Sequence, residues 1–571
     1  MQGTDFLLKS LVADGVDHLF MMTGGLVDPF YPAIARVPEI KPVVAAHEGG
    51  AAAMADGYAR ASGSIGACLC IGGPGLTNTV TSISAAYTDE SPVLLLTGAV
   101  ENYMQGLGLF QDATESTYKD VQIVAPVTAE SYSIPDIRLL GHRYRGAVKT
   151  MLDDARCPVH LTIPRDVQMA EIDAEPIAVA PQLLASTTLD DEAAKSLWAM
   201  VDGAQRIAVL VGGGVIADDA TEDLVAVAER YRIPICTTEH AKGTMPEDHP
   251  LALGVFGYAG TRHATQAILE SDLDLLIMLG STLNVRDSMY WSEKLAPKRG
   301  ILTVNVSAVH VGCHTKPHQE QFVRGHGGAF LRWLSKASDK EAKSLLDTKS
   351  DRAKWVDTIK SGARLYDQEN MTSDQLPIHP TRMVAECRKA MPRETVAIVD
   401  SGAHRAFASH YWDSYGPREF ITASNLGPMG WGIGAGIGAK AARPDRPVVV
   451  FTGDGCLRMH GMEVQTAARF DLPVIYCVSN NSALGNVWLR AVKLGPIPAQ
   501  LNEAPDQDWA GFARAVGAEG ITVKKPDELA PAFAKALELN KTVVIDIKTD
   551  RKCKTPTQPY HEGAAAWSYT E

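Results

Sequence analysis

Short apolar runs alternate with helix-like segments along most of the chain, and this alternation predicts the fold. In chain order the runs are VDHLFMM, KPVVAA, GACLCI, PVLLLTG and PVHLTIP, then RIAVLVGGG, RIPICTT, LDLLIMLG and GILTVNV, then TVAIVD, RPVVVFTGDG, LPVIYCVSNN and TVVIDIK. Continuous apolar runs separated by helices are typical of parallel strands that are covered on both faces. The pattern predicts an α/β protein with three doubly wound parallel-sheet domains.

Changes in composition indicate where these domains end. A Pro- and Ala-rich stretch follows Asp173, and a long polar stretch separates the second group of runs from the third. We therefore predict domains at residues 1–173, 188–335 and 376–550. The polar tail 551–571 has no periodicity, and we interpret it as a candidate lid because it carries Tyr560 and Trp567.

Composition excludes several classes of function. The net charge of -13 argues against binding to nucleic acid, since phosphate backbones are held by clustered Lys and Arg. The sequence has no apolar run long enough for a membrane span, and its N-terminus predicts an amphipathic helix without a signal-peptide pattern. We expect a cytoplasmic protein. Cys68 and Cys70 lack the second pair of a zinc site, so core thiols are the better interpretation.

Two polar side chains follow neighbouring apolar runs in the last third of the chain. Asp454 stands in a Gly-Asp-Gly turn after RPVVVF, and Asn481 follows LPVIYCV. A strand end, a crossover helix and a second strand end place both on the carboxyl edge of a parallel sheet, where open α/β sheets bind ligands. Carboxylate, amide and carbonyl oxygens suit magnesium. The alternative is a pair of ordinary turns, because Asp-Gly and Asn-Asn are common in loops.

This segment resembles the diphosphate-binding motif of thiamine-diphosphate enzymes. The resemblance spans almost the whole chain, in the order pyrimidine-binding, central and diphosphate-binding domain. It implies a Mg2+ site formed by Asp454, Asn481 and the main-chain oxygen of Ala483. Met429, in SNLGPMGWG, corresponds to the apolar residue that bends the cofactor between its two rings. The other cofactor contacts implied in this domain are Ala403, His404, Gly453, Gly455, Cys456 and Gly485.

A glutamate in the first third carries the second signal. Glu48 follows the run KPVVAA at the start of a helix in apolar surroundings, where burial would raise the pKa of its carboxyl. HEGGAAAMADGYARASG resembles the glutamate motif of the acetolactate synthase and pyruvate oxidase family, in which this residue shares a proton with the cofactor's pyrimidine ring. The alternative is a helix-start carboxylate stabilised by the macrodipole. Downstream, GGPGLTN resembles the glycine-rich turn that forms a wall of the cofactor site in this family. The resemblance implies that Gly73, Pro74 and Asn78 contact the cofactor.

Three further stretches bear on the substrate. The tripeptide at Phe110 resembles the Phe-Gln-Glu of acetolactate synthases, which makes Gln111 the residue near the reacting carbon, although Asp112 replaces the usual Glu. The loop 23–31 corresponds to the loop that lines the substrate pocket in this family, but its sequence differs from the family's usual Pro-Gly-Gly. Asn486 stands where acetolactate synthases usually have methionine, which indicates a more polar pocket.

The central domain leaves its ligand open. Gly212, Gly213 and Gly214 follow a predicted strand, but the spacing for dinucleotide binding is incomplete. Acetolactate synthases carry FAD in this domain, whereas other relatives carry an ADP-containing ligand, a CoA substrate or nothing. Thr282 replaces an arginine of the flavin-binding members, and Arg286 matches a later one.

The resemblance implies an acetolactate-synthase-like enzyme that decarboxylates a 2-oxo acid and joins the remaining fragment to a second carbonyl compound. It also implies a homodimer or homotetramer with sites at the subunit interface. A cleaving enzyme is the first alternative, such as a cyclic 1,2-diketone hydrolase or a 2-hydroxyacyl-CoA lyase. A non-catalytic or flavin redox member of the fold is the second.

Overall fold

The computed structural model describes residues 1–114, 117–153, 155–182, 191–309, 320–557 and 560. This part of the chain contains three six-stranded sheets with flanking helices, built from parallel strand pairs as the apolar pattern predicts. The chain forms two compact units. The first unit comprises Met1–Leu184, Thr395–His404 and Ile421–Arg551, and the second comprises Ala185–Glu394, Arg405–Phe420 and Lys552–Glu571.

The first sheet belongs to the first unit and has the strand order β2-β1-β3-β4-β6-β5. Its strands are β1 His18–Met21, β2 Lys41–Val44, β3 Gly66–Ile71, β4 Val93–Ala99, β5 Glu130–Ser133 and β6 Val159–Pro164. Its helices are α1 Gly3–Ala13, α2 Phe30–Arg36, α3 Glu48–Ser62, α4 Pro74–Thr88, α5 Asp120–Val124, α6 Ile137–Met151 and α7 Arg165–Met169.

The second sheet lies in the second unit and has the order β12-β11-β10-β7-β8-β9. Its strands are β7 Ile207–Val211, β8 Ile235–Thr237, β9 Ala252–Val255, β10 Leu275–Leu279, β11 Gly300–Asn305 and β12 Glu320–Arg324. The helices along this stretch are α8 Asp191–Val201, α9 Gly213–Ala217, α10 Thr221–Tyr231, α11 Arg262–Thr265, α12 Gly327–Lys336, α13 Lys343–Asp347, α14 Lys349–Lys360 and α15 Pro380–Ala390.

The third sheet returns to the first unit and has the order β14-β13-β15-β16-β18-β17. Its strands are β13 Val396–Val399, β14 Phe420–Thr422, β15 Val448–Gly453, β16 Ile475–Asn480, β17 Glu519–Val523 and β18 Val543–Lys548. The helices from here to the end are α16 Ala403–Tyr411, α17 Trp431–Ala442, α18 Asp454–His460, α19 Glu463–Arg469, α20 Gly485–Leu494, α21 Trp509–Ala515 and α22 Leu529–Leu539.

Helices α3 and α17 join the first and third sheets within the first unit. A methyl group on Gly434 would lie 2.9 Å from the Gly50 carbonyl oxygen, so the two helix backbones approach closely where neither carries a side chain. Trp431 donates its indole N–H to the buried Asp56 carboxylate at 2.9 Å, and Arg60 pairs with the same carboxylate at 2.7 Å. Small residues and a paired buried charge therefore hold this unit together.

Every predicted apolar run forms a strand, and five strands were not predicted. The additional strands are β5, β9, β12, β14 and β17. All five lie at a sheet edge. In the described part of the chain, no helix is long and apolar enough to span a membrane.

Candidate active site

In the third sheet, the strand order reverses between β13 and β15. A carboxylate residue follows each of these two strands. Asp400 comes directly after β13, and Asp454 follows β15 as the first residue of α18. Open α/β sheets bind ligands at such a switch point, because the loops that leave the two strands diverge there. The crevice therefore carries Asp454, as predicted, together with Asp400, which we did not single out from the sequence.

Asp454 is a buried carboxylate whose nearest cationic group among the described residues belongs to the following helical turn. The backbone N–H groups of Gly455 and Asn481 hydrogen-bond to it, and the Arg458 guanidinium lies 3.7 Å away. Burial raises the pKa of Asp454 to about 6. A cation bound here would stabilise the ionised form that burial disfavours.

The two adjacent asparagines at the end of β16 have different roles. Asn480 donates its amide to the Asp546 carboxylate at 2.8 Å and to the Gln507 carbonyl oxygen at 3.0 Å, so it is fixed within the sheet. Asn481 accepts a hydrogen bond from the Ala483 N–H at 3.0 Å. This contact orients the Asn481 amide oxygen and the turn at Ala483 beside Asp454. Asn480 is thus fixed by contacts within the sheet, whereas the side-chain contact of Asn481 lies in the turn that follows β16.

Glycines make room around these groups. A methyl group on Gly485 would lie 2.7 Å from the Asn481 amide nitrogen, and one on Gly455 would lie 3.0 Å from the Met429 methyl. A methyl group on Gly453 would lie 3.2 Å from the His404 ring. The predicted residues Gly453, Gly455, Gly485, His404 and Met429 are therefore neighbours in one cradle.

Two predicted contacts have more specific positions. Ala403 begins α16, and its methyl lies 3.5 Å from where a Gly485 side chain would begin. Cys456 is buried, and its thiol lies 3.2 Å from the Ser401 carbonyl oxygen. Burial raises the pKa of this thiol, which makes it a poor ligand. Any cofactor contact at Cys456 would therefore use its backbone.

Asp400 fixes the turn that carries Met429. Its carboxylate is fully buried and accepts hydrogen bonds from the N–H of Gly430 at 3.0 Å, the N–H of Ser401 at 2.8 Å and the Thr452 hydroxyl at 2.9 Å. These bonds connect the ends of β13 and β15 to the turn. The rule that identified Asp454, a carboxylate directly after an apolar run, would also have found Asp400 in TVAIVD.

A second cluster supports the loop after Asn481. The Trp488 indole donates to the Glu503 carboxylate at 3.1 Å, and Arg551 pairs with the same carboxylate at 3.0 Å. The Leu484 N–H donates to the Asn502 carbonyl oxygen at 2.8 Å. Trp488, which follows the unusual Asn486, is therefore held by its own side-chain partners rather than by apolar packing alone.

Glu48 lies at the carboxyl edge of the first sheet. It begins α3, and His47 caps the helix by accepting the Gly49 N–H at 3.0 Å. Asn78 donates its amide to one Glu48 carboxylate oxygen at 2.9 Å, and the other oxygen lies 3.6 Å from where a Gly75 side chain would begin. The structure thus brings together the predicted glutamate, the Gly-Pro-Gly turn and Asn78.

Glu48 is half-buried in the single chain, whereas the sequence suggested a buried carboxylate. Asn78 and Pro74 are exposed beside it. The apolar run before Glu48 reflects the buried sheet below, and the carboxylate itself lies at the rim. Full burial would require a ligand or a partner to cover this face.

Glu463 is a further residue that sequence analysis missed. This buried carboxylate on α19 accepts the N–H groups of Ala46 and His47, both at 3.1 Å, and the Thr466 hydroxyl at 2.7 Å. Burial raises the pKa of the Glu463 carboxyl. It therefore grips the loop that leads into Glu48. An acidic side chain between apolar positions of a helix was the available signal.

Gln111 lies in a loop over the Gly-Pro-Gly turn. Its backbone has a φ of +61°, and its carbonyl oxygen lies 4.0 Å from where a Gly73 side chain would begin. Asp112 braces this loop by accepting the Gly106 N–H at 2.7 Å and the Thr114 hydroxyl at 2.7 Å. The preceding Phe110 is exposed. The structure thus places Gln111 next to the cofactor wall predicted from the sequence.

In the central domain, the glycines and the arginine that could have bound a nucleotide contact other residues of the same domain. Methyl groups on Gly212 and Gly214 would lie within 2.8 Å of Ser281 or Gly280, so these glycines serve close packing at the switch point between β7 and β10. The Arg286 guanidinium lies 3.5 Å from the Glu239 carboxylate and 4.0 Å from the centre of the Tyr258 ring. The incomplete glycine spacing therefore has a structural explanation.

The tail has one described residue near this cluster. The Tyr560 ring lies 5.4 Å from that of Tyr258 and 4.7 Å from that of Tyr290, and burial raises its pKa. Trp567 lies outside the described residues. The lid hypothesis for 551–571 stays a prediction.

The predicted site residues thus form two groups on the first unit. One group contains Glu48, the Gly73 turn, Asn78 and Gln111 at the first sheet, and the other surrounds Asp454 and Asn481 at the third. Among the described residues, no group of three His, Cys, Asp or Glu side chains is placed to hold a metal. A cation at Asp454 would therefore depend on amide, carbonyl and ligand oxygens.

Three family models match the chain: the N-terminal TPP binding domain of thiamine pyrophosphate enzymes at residues 1–121, their central domain at 194–334 and their C-terminal TPP binding domain at 400–547.

Curated relatives match over nearly the full length. A probable acetolactate synthase large subunit from Methanocaldococcus jannaschii is 31% identical, covering 98% of this chain and 94% of that protein. The acetolactate synthase large subunit of Corynebacterium glutamicum is 31% identical, covering 96% and 86%. A sulfoacetaldehyde acetyltransferase from Alcaligenes xylosoxydans xylosoxydans is 29% identical, covering 97% and 94%. The chain therefore belongs to the family of thiamine pyrophosphate enzymes.

Proposed function

We propose that the protein is a thiamine-diphosphate- and Mg2+-dependent enzyme of the acetolactate synthase type, which decarboxylates a 2-oxo acid and transfers the remaining fragment to a second carbonyl compound. One observation carries the proposal: the Glu48–Asn78 pair and the Asp454–Asn481 pair lie at the carboxyl edges of two sheets in the same unit. The first pair suits the cofactor's pyrimidine ring, and the second suits its diphosphate. A binding protein would have no use for the activating glutamate.

The residues at the third sheet fit a magnesium diphosphate. Asp454 is a buried carboxylate whose pKa stays raised to about 6 although Arg458 lies 3.7 Å away, and Gly453, Gly455 and Gly485 leave space that side chains would fill. We assign the metal to the Asp454 carboxylate, the Asn481 amide oxygen and the Ala483 main-chain oxygen. Oxygen ligands of this kind, completed by water and phosphate, are typical of Mg2+.

The chain's own residues divide the work of the reaction. When bound, the cofactor supplies a carbon nucleophile that accepts the electron pair released with carbon dioxide. Glu48 would hold the proton that the pyrimidine ring exchanges, and the Asn78 amide directs one of its oxygens at 2.9 Å. Met429, fixed through Asp400, would enforce the bend of the cofactor. Gln111 would orient the substrate carbonyl.

We also propose a homodimer or homotetramer, with sites completed across subunits. The Gln111 loop connects β4 to α5. Four of its large apolar side chains are more than 70% exposed: Tyr103, Leu107, Phe110 and Tyr118. A cluster of exposed large apolar side chains marks a contact surface. A partner on this face would also supply the burial that Glu48 lacks in the single chain.

The central domain does not fit the flavin that acetolactate synthases carry. Arg286 is engaged with Glu239 and Tyr258, Thr282 replaces an arginine, and Gly212 and Gly214 pack against the neighbouring loop. We therefore propose that the reaction does not use FAD. A purified protein that absorbs in the flavin bands would contradict this assignment.

The cytoplasmic location stays a prediction.

The alternative within this chemistry is cleavage of a cyclic 1,2-diketone or a 2-hydroxyacyl-CoA, which the polar Asn486 favours. The experiment uses protein freed of cofactor with a chelator and then supplied with thiamine diphosphate, with and without Mg2+. We expect calorimetry to detect cofactor binding that requires Mg2+, and pyruvate to release carbon dioxide and yield a carboligation product.

Turnover of the diketone or the acyl-CoA, but not of pyruvate, would support the alternative. Absence of cofactor binding would refute both proposals and leave the non-catalytic interpretation.

A further inference from the structure

Asp120 is a buried carboxylate that the proposed reaction does not use. It begins α5 and is 3% exposed. One of its oxygens accepts the Gly73 N–H at 2.8 Å, and the other has no hydrogen-bond partner among the described residues. No basic side chain in the described part of the chain forms an ion pair with it. A buried carboxylate with one hydrogen bond is costly to keep ionised.

The surroundings of Asp120 do not relieve this cost. The Asp120 carboxylate helps to raise the pKa of the nearby Cys70 thiol on β3, and Glu48 on α3 acts on the same thiol. Both are acidic groups, so neither stabilises a negative charge. Burial accordingly raises the pKa of Asp120 to about 6. At neutral pH the residue is ionised even though its surroundings favour the protonated form.

The contacts of Asp120 explain why a charge would be kept there. Gly73 has a φ of +64°, a conformation that needs glycine and an external anchor. A methyl group on Gly72 would lie 2.6 Å from the Asp120 carboxylate and 2.9 Å from the Gly98 carbonyl oxygen, so the turn is confined between them. The Asp120 backbone N–H also donates to the Ala113 carbonyl oxygen at 2.9 Å. Asp120 thus connects the Gly-Pro-Gly turn to the Gln111 loop.

We propose that Asp120 is a positioning residue, whose ionised carboxylate holds the Gly73 turn and the Gln111 loop in register for the cofactor and substrate. This inference rests on the proposed function, because it assigns the turn to the cofactor wall. A charge-assisted hydrogen bond is stronger than a neutral one by a factor of about 2, so loss of the charge loosens the turn without removing it.

The decisive variant is Asp120→Asn, which keeps the shape and an acceptor oxygen but is neutral at every pH. Because the folded pKa is raised, ionisation of Asp120 lowers native-state stability progressively between about pH 4 and pH 6, and the full loss is present above pH 6. We therefore expect Asp120→Asn to melt at a higher temperature than the wild type at pH 8, with a smaller gain at pH 5.5.

Function should change in the opposite direction. At pH 8 we expect the thiamine diphosphate concentration for half-maximal activity to rise by about five- to tenfold in Asp120→Asn, the ratio expected when a charged hydrogen bond becomes neutral. In the wild type this concentration should rise as pH falls through 6, whereas in the variant it should change little over that range.

Asp112→Asn is the matched control, since Asp112 lies in the same loop but is fully hydrogen-bonded, and backbone and side-chain donors lower its pKa despite burial. We expect this control to melt at a lower temperature at both pH values. If Asp120→Asn instead loses stability, or gains stability with unchanged cofactor requirement, the inference is wrong. If the wild type binds no thiamine diphosphate, the proposed function fails first, and the two failures are distinguished.

Discussion

Replacing Glu463 by glutamine tests whether this carboxylate positions the loop that carries Glu48. The two oxygens of Glu463 accept one backbone N–H each, from Ala46 and His47, at 3.1 Å. Glutamine offers one acceptor oxygen and turns an N–H2 group toward the other donor. One buried N–H is then left without a partner, which costs about 1–3 kcal/mol.

Part of this cost is offset because the ionised carboxylate is itself disfavoured. Burial raises the pKa of Glu463, so its ionisation lowers stability as pH rises above the ordinary range of a glutamate, and the neutral glutamine removes that contribution. We expect a net loss of about 1–2 kcal/mol. In a unit of this size, that loss corresponds to a melting temperature lower by roughly 1.5–3 °C.

The activity should fall as well, because the N–H group that loses its partner lies in the loop that leads into Glu48. If the loop absorbs the whole penalty of about 1–2 kcal/mol, kcat decreases by about five- to thirtyfold, since about 1.4 kcal/mol corresponds to a factor of ten. Differential scanning calorimetry and steady-state kinetics at saturating cofactor measure the two effects. Glu538→Gln is the matched control, as its side chain is exposed and pairs only with Lys535 among the described residues. A Glu463→Gln variant indistinguishable from this control in both assays would refute the reasoning.

Two further outcomes follow from the site. Glu48→Gln should lower kcat by at least about a hundredfold, the usual contribution of acid–base catalysis, while calorimetry still detects Mg2+-dependent binding of thiamine diphosphate; unchanged turnover would remove Glu48 from the reaction. Phe110→Ser removes an exposed ring from the Gln111 loop and should shift sedimentation toward the monomer, with activity that recovers at higher protein concentration. An active wild-type monomer would contradict the shared-site proposal.

The sequence predicted the central strands of each sheet but not most of the edges. Central strands are buried on both faces and form continuous apolar runs, as in β4 and β16. Edge strands such as β5 and β17 are half-buried and mix polar with apolar residues, so no run marks them. The positions of Glu48, Asp454 and Asn481 at strand ends followed from the same runs.

The supporting carboxylates were harder to predict, because their role depends on distant partners. Glu463 meets Ala46 across 417 positions of sequence, and Asp120 meets Gly73 across 47. Such contacts follow from the way the sheets are joined, which no local pattern encodes. Asp400 is the exception, since it obeys the same strand-end rule as Asp454. The degree of burial of Glu48 could not be predicted from the sequence either, because the exposure of a side chain at the rim of a sheet depends on what covers it.

The first and third sheets have the same strand order, although no short-period repeat is visible in the sequence. When numbered from their own first strand, both read 2-1-3-4-6-5, whereas the central sheet does not. In each of the two sheets, the strand order therefore reverses between the first and the third strand, where open α/β sheets bind ligands. The candidate residues lie at different places on this shared strand order, because Glu48 follows the second strand of its sheet, whereas Asp454 and Asn481 follow the third and fourth strands of theirs.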